Sequence, residues 1–216
     1  MVKTEAITLI KEDILSLGQM VNRSVEEIFH LLQKNPTSSL SLVEEQEEHI
    51  NQACYDIEEK CLDLLLERET FSPQEIRTLL ASTIIASKFE RMADHANRVA
   101  KLASWACEDN IAIPPELPDM ASVVHRMVKD VLLSFLTDAA DKAKEIVQRD
   151  SQVDYLHDVL SKRLLSDLGE QDQQEAQMRA QFLFAARFLE RMGDACCSIA
   201  KRVYFIATGK RLKSEE

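Results

Sequence analysis

The sequence predicts an all-α protein built as two tandem antiparallel three-helix bundles, the second an internal copy of the first. Three observations carry that expectation. Apolar residues recur at alternating steps of three and four, the spacing of one face of a packed helix. Only four Gly and five Pro punctuate the 216 residues, too few for a many-stranded fold. The apolar pattern also repeats after about one hundred positions, as a duplicated folding unit does.

Taken in order, the first helix carries Leu17, Val21, Ser24 and Ile28, and the second Ile50, Ala53, Ile57 and Cys61. Ser41-Leu42-Val43-Glu44 has the capping-box form at the start of the second helix. Ser72-Pro73-Gln74-Glu75 opens the third in the same way, with Pro at the first helical position. The third stripe is Ser82, Ile85, Phe89, Met92, Ala96, Val99, Ala103 and Ala106. Pro114, Pro115 and Pro118 then block helix continuation, so residues 1–110 form the first unit and 111–118 a linker. In the second unit, 119–216, Met120, Val124, Met127 and Val131 repeat the first helix, and Val153, Leu156, Leu160 and Leu164 the second. Asp172-Gln173-Gln174-Glu175 is a weaker capping signal before the sixth helix. That helix carries Phe182, Ala185, Leu189, Met192, Cys196, Ile199, Val203 and Ile206, and its Glu190-Arg191-Met192-Gly193-Asp194 repeats Glu90-Arg91-Met92-Ala93-Asp94.

Composition excludes several functions. A formal charge of -11, with Lys and Arg scattered through acidic helices, argues against nucleic acid as a partner. No apolar run approaches the ~20 residues of a membrane span, and Met1 to Lys11 lacks signal-peptide form, so a cytoplasmic protein without membrane insertion is expected. Cys54, Cys61, Cys107, Cys196 and Cys197 make an odd count without CxxC spacing, which suits small buried hydrophobes better than disulfides, zinc or a redox pair at 196–197.

The candidate chemistry lies in carboxylates four residues apart, which share a helix face. Glu90 with Asp94 and Glu190 with Asp194 project to the side opposite the third-helix stripes. On the second helices, Asp150 with Asp154 has the same spacing, and Glu47 with Asn51 offers one neutral oxygen donor, Glu48 being an adjacent substitute. Counting 1.5 Å per residue from turns near residues 71 and 170 sets Asn51 level with Glu90, Glu47 with Asp94, and Asp150 with Glu190. Like charges so placed repel unless a cation lies between them. Oxygen-only donors suit Mg, Mn, Ca or iron ahead of zinc, so the cofactor expected is a metal ion on carboxylates, with iron, Mn, Mg and Zn the candidates. Against this stands the plain alternative of a solvated acidic face paired with Arg91 and Arg191.

No Gly-rich phosphate loop, nucleophile elbow or HExxH helix is present, so no enzyme is expected. A ferritin-like di-iron enzyme needs two Glu-x-x-His motifs, and Glu27-Ile28-Phe29-His30 is a single match that Asp154-Tyr155-Leu156-His157 only imitates. His49, His95 and His125 are read as surface or boundary side chains because no second ligand motif accompanies them.

With its duplicated ERMAD and ERMGD segments the chain resembles the PhoU family of phosphate-signalling regulators, over nearly its whole length. The resemblance implies two three-helix repeats, each with a Glu/Asp-xxx-Asp motif on its second and third helices. Asn51 departs from that motif. It further implies a non-enzymatic, homodimeric protein that binds multinuclear metal clusters and links the ATPase subunit of a phosphate ABC transporter to a sensor histidine kinase. Such a protein represses phosphate uptake and the starvation response when phosphate is plentiful. An accessory role at another anion transporter is the neighbouring alternative.

Overall fold

The structure is a computed structural model that describes residues 3–35, 37–66, 71–166 and 173–212. Six helices occupy them: α1 (Lys3–Leu32), α2 (Leu40–Leu66), α3 (Pro73–Glu108), α4 (Glu116–Leu136), α5 (Ala140–Ser166) and α6 (Gln173–Thr208). No strand occurs among the described residues.

Helix ends follow local chemistry. At α3 the capping box forms as expected: the Ser72 hydroxyl accepts the Glu75 N–H at 3.3 Å, and the Glu75 carboxylate accepts the Ser72 N–H at 2.6 Å. At α2 it does not, because the helix begins at Leu40 and leaves Ser41 inside the first turn. The Glu27 carboxylate of α1 reaches across and accepts the Ser39 N–H at 2.6 Å, so a tertiary contact takes the place of a local cap. Residue 172 lies outside the described residues. The chain turns out of α1, α3, α4 and α6 through left-handed residues Lys34, Asn110, Asp138 and Gly209, the conformation that closes a helix C-terminus. Pro118 stands in the first turn of α4, where its missing N–H has no helical partner to lose.

Packing joins the halves more closely than two separate bundles would. Helix α2 packs on α1 and α3, and α5 on α4 and α6, which gives each half its three helices. Yet α1 also packs on α4, and α3 on α6, so α1, α3, α6 and α4 form a continuous ring of contacts with α2 and α5 outside it. One hydrophobic cluster runs through all six helices. The physical reason is that α3 and α6 bury more than one stripe. Besides the expected stripes, Ala86, Ala93, Ala100, Ala186 and Ala200 are buried, and such small side chains let a helix pack closely on two sides. Gly18 on α1 does the same: a Cβ there would lie 2.2 Å from Leu132 of α4 and 3.0 Å from Phe89 of α3. Glu27 is engaged at the start of α2, and among the described residues no group of His and carboxylates is drawn together around Glu27 and His30 closely enough to hold a metal ion.

Candidate metal centre

The eight candidate residues sit along two grooves, one between α2 and α3 and one between α5 and α6. In the first groove Glu90 is half-buried. Burial pushes its carboxyl above the usual range, Arg91 opposes the shift, and Asp94, Glu47 and Glu58 add to it. Asp94 is taken by Arg98, whose Nε donates to both carboxylate oxygens at 3.1 Å. Glu47 accepts a hydrogen bond from the Asn97 side chain. Asn51 is half-buried on α2 and adds no charge.

The second groove is more strongly acidic. Asp150 is pushed up to about 6, by burial first and then by Asp154, Asp194 and Glu190, while a hydrogen bond from the Cys197 thiol holds it down. Burial also raises Asp154, with Asp194 and Asp158 reinforcing the shift and His157 opposing it. Glu190 is raised by burial against the pull of Arg187, which donates to its Oε1 at 2.6 Å. Its other oxygen, Oε2, is buried without a hydrogen-bond partner. The four carboxylates expected from the sequence thus share one field.

The levels differ from the count based on symmetric turns. Glu47 lies opposite Asn97 rather than Asp94. Asp150 lies against Gly193, where a Cβ would stand 2.7 Å from its Oδ1, and beside Cys197, rather than level with Glu190. It is His157, from the incomplete Glu-x-x-His imitation, whose charge acts on Glu190. Glu47, Asn51, Glu90, Asp94, Asp150 and Glu190 are half-buried, whereas Asp154 and Asp194 are exposed to solvent. Asn97 was not singled out by sequence and Cys197 only as a buried thiol, although they occupy matching positions one turn beyond Asp94 and Asp194.

Among the described residues no group of three or more His, Cys, Asp or Glu is drawn together closely enough to hold a metal ion. The donor chemistry of the second groove nevertheless fits a hard cation, because its carboxylates raise one another and one buried oxygen lacks a partner. The first groove fits less well, with Glu47 and Asp94 engaged by Asn97 and Arg98.

Neighbouring groups offer little alternative chemistry. Cys54, Cys61, Cys196 and Cys197 are buried and Cys107 is half-buried. Burial pushes Cys54 and Cys61 up to about 11 and raises Cys196 and Cys197 further, which suppresses the reactive thiolate. His49 is exposed, while His95 and His125 are half-buried. His95 packs on Phe188 of α6 at 5.2 Å between ring centroids, with its Nδ1 buried and lacking a hydrogen-bond partner.

Comparison with known proteins matches both halves to one family. The PhoU domain matches residues 14–103 and 117–203. The phosphate-specific transport system accessory protein PhoU homolog of Clostridium acetobutylicum is 26% identical over 204 residues, covering 94% of this chain and 93% of that protein. The crystal structure of the phosphate transport system regulatory protein PhoU from Streptococcus pneumoniae superposes with a TM-score of 0.86 at 25% identity, covering 98% of this chain and 100% of that one. PhoU from Pseudomonas aeruginosa superposes with a TM-score of 0.88 at 25% identity, over 96% of this chain and 99% of that one.

Proposed function

The chain belongs to the PhoU family, and from that premise we propose that it is a non-enzymatic accessory protein regulating phosphate transport. The observation that carries the reading is the match of both halves, residues 14–103 and 117–203, to the same domain. The matched relatives are named as accessory or regulatory proteins of phosphate transport. Regulation is negative in this reading: with phosphate plentiful, contacts with the transporter's ATPase subunit and with a sensor histidine kinase hold uptake and the starvation response down. The protein acts in the cytoplasm and self-associates as a homodimer. No helix among the described residues is long and apolar enough to cross a membrane.

Metal binding is the second part of the proposal. Asp150, Asp154, Glu190 and Asp194 would hold a cation in the second groove, with Glu47, Asn51, Glu90 and Asp94 as the weaker counterpart. When bound, such an ion supplies positive charge that relieves the repulsion among these carboxylates. The protein's own residues shape the site: Gly193 leaves room for Asp150, and Cys197, whose thiol donates to the Ile146 carbonyl, lies beside it.

Two experiments test the two parts. Deleting the gene should raise phosphate uptake and starvation-gene expression in phosphate-replete cells, and unchanged uptake and expression would remove the regulatory reading. Elemental analysis of protein purified without chelator should show metal that Glu190→Ala, Asp194→Ala lacks while circular dichroism stays helical. Equal metal in the two proteins, or none in either, would remove the metal centre.

A further inference from the structure

Where α3 packs on α6, the two halves line an open cleft of about 510 Å³ with Lys88, Arg91 and His95 from the first half and Arg191 from the second, and with Asp94 and Asp194 at its walls. Its size lies within the usual range for small-ligand sites. Arg91 and Arg191 hold equivalent positions in the two copies of the repeat, and both line this one cleft while remaining exposed.

The ion pairs of the chain leave cations available at this cavity, as they do in a smaller pocket beside Arg202 and Arg211 at the end of α6. Arg98, Lys101, Lys142, Arg149, Arg163 and Arg187 are each committed to a carboxylate. Among the described residues no ion pair within 4 Å holds Lys88, Arg91 or Arg191, although Arg91 moderates the adjacent Glu90. The acidic members of the wall compete little for these cations. Asp94 gives both oxygens to Arg98. Asp194 acts on Asp150, Asp154 and Glu190 in the α5–α6 groove. His95 adds a buried Nδ1 that makes no hydrogen bond and lies 3.6 Å from Asp94 Oδ2.

We propose that this cavity is an anion site for a small phosphate-bearing ligand, clamped between Arg91 and Arg191 with Lys88 as the third positive group. Paired guanidinium forks match the oxygens of a phosphate group, and an ammonium adds a point charge beside them. The cavity is too small for a folded partner and has room for either free phosphate or the phosphate end of a nucleotide. The site goes beyond the regulatory reading and needs neither carboxylate groove to be metal-loaded.

The test is isothermal titration of the full chain, stripped of metal with EDTA and dialysed, with orthophosphate, ATP and sulfate in turn. Saturable binding of orthophosphate or ATP is expected. Arg91→Gln, Arg191→Gln should weaken it by about tenfold or more, as loss of charge-assisted hydrogen bonds does, and Lys88→Gln by less. Lys144→Gln, an exposed pair with Asp141 outside the cavity, should leave it unchanged. Tighter binding of ATP with the same arginine dependence assigns a nucleotide phosphate, and binding of orthophosphate at least as tight as ATP assigns the free ion. No saturable binding of either at millimolar concentration, or binding undiminished in the double variant, overturns the site. So does phosphate binding that appears only after metal is restored, because that places the anion on the cation. Metal content is measured on each protein as purified without chelator, before stripping, so loss of phosphate binding with that content unchanged separates this site from the carboxylate centre. If the double variant fails to fold, Lys88→Gln alone decides, and its unchanged affinity would count against the clamp.

Discussion

Asp150→Asn should make the metal-free protein more stable at neutral pH, the reverse of what removing a charged surface residue ordinarily does. In the folded chain Asp150 titrates at about 6 against an ordinary 3.8, because burial and then Asp154, Asp194 and Glu190 oppose its ionisation. The folded state therefore holds this proton more tightly than the unfolded state does. Between pH 3.8 and about 6 stability falls as pH rises, and above pH 6 the full cost of the charge is present. A shift of about two pK units corresponds to roughly 3 kcal/mol. Asp150 is only half-buried, and solvent screening brings that down to about 1–2 kcal/mol. Asn keeps an oxygen for the Cys197 thiol and loses only the charge. For a chain of this length the gain corresponds to a Tm rise of about 3–6 °C. Differential scanning calorimetry in EDTA at pH 7.5 and pH 4.0 measures it, with the difference largely gone at the lower pH. A variant no more stable than wild type at pH 7.5, or equally stabilised at both pH values, would refute the electrostatic account of the second groove.

Other perturbations read separate parts of the fold. Gly18→Ala should cost about 1 kcal/mol net in urea denaturation, because overpacking against Leu132 at 2.2 Å and buried Phe89 at 3.0 Å outweighs the roughly 1 kcal/mol that Ala gains over Gly inside a helix. Ser72→Ala should cost about 1 kcal/mol by removing one arm of the α3 capping box, while Ser41→Ala should change stability by less than about 0.5 kcal/mol. Asp130 is held below the ordinary carboxylate range by Arg149 and Lys142 against the effect of burial. Asp130→Asn should therefore destabilise the protein by about 1 kcal/mol at pH 7, and the deficit should disappear as pH falls through the lowered pKa of Asp130.

Helix number, type and order were legible because each depends on local periodicity, and the stripes named from sequence are buried almost residue for residue. Leu17, Val21, Ser24 and Ile28 are buried on α1, as are Met120, Val124, Met127 and Val131 on α4. What periodicity cannot encode is which elements a second apolar face meets. Ala86 and Ala186 look like ordinary helix formers in sequence, and only the packing of α3 on α6 turns them into contact surface. The start of α2 was misplaced for a similar reason: its cap comes from Glu27, a residue of another helix, so no local motif could announce it.

The candidate residues were legible as a repeated spacing, but the difference between the two grooves rests on substitutions that spacing ignores. In the second groove a short carboxylate, Asp150, stands where the first has Glu47, and Gly193 stands where the first has Ala93. These changes act together. Without a Cβ at 193 the Asp150 carboxylate comes within 2.7 Å of where that carbon would be, which buries it and brings it into the field of Asp194. In the first groove the longer Glu47 is held by Asn97, whereas its counterpart Asp150 receives only a thiol hydrogen bond from Cys197. Asn51 in place of a second acid then lowers the charge of the first groove further. Mutual repulsion of carboxylates is thus concentrated between α5 and α6, whereas between α2 and α3 the Asn97 amide donates to Glu47 and relieves part of it.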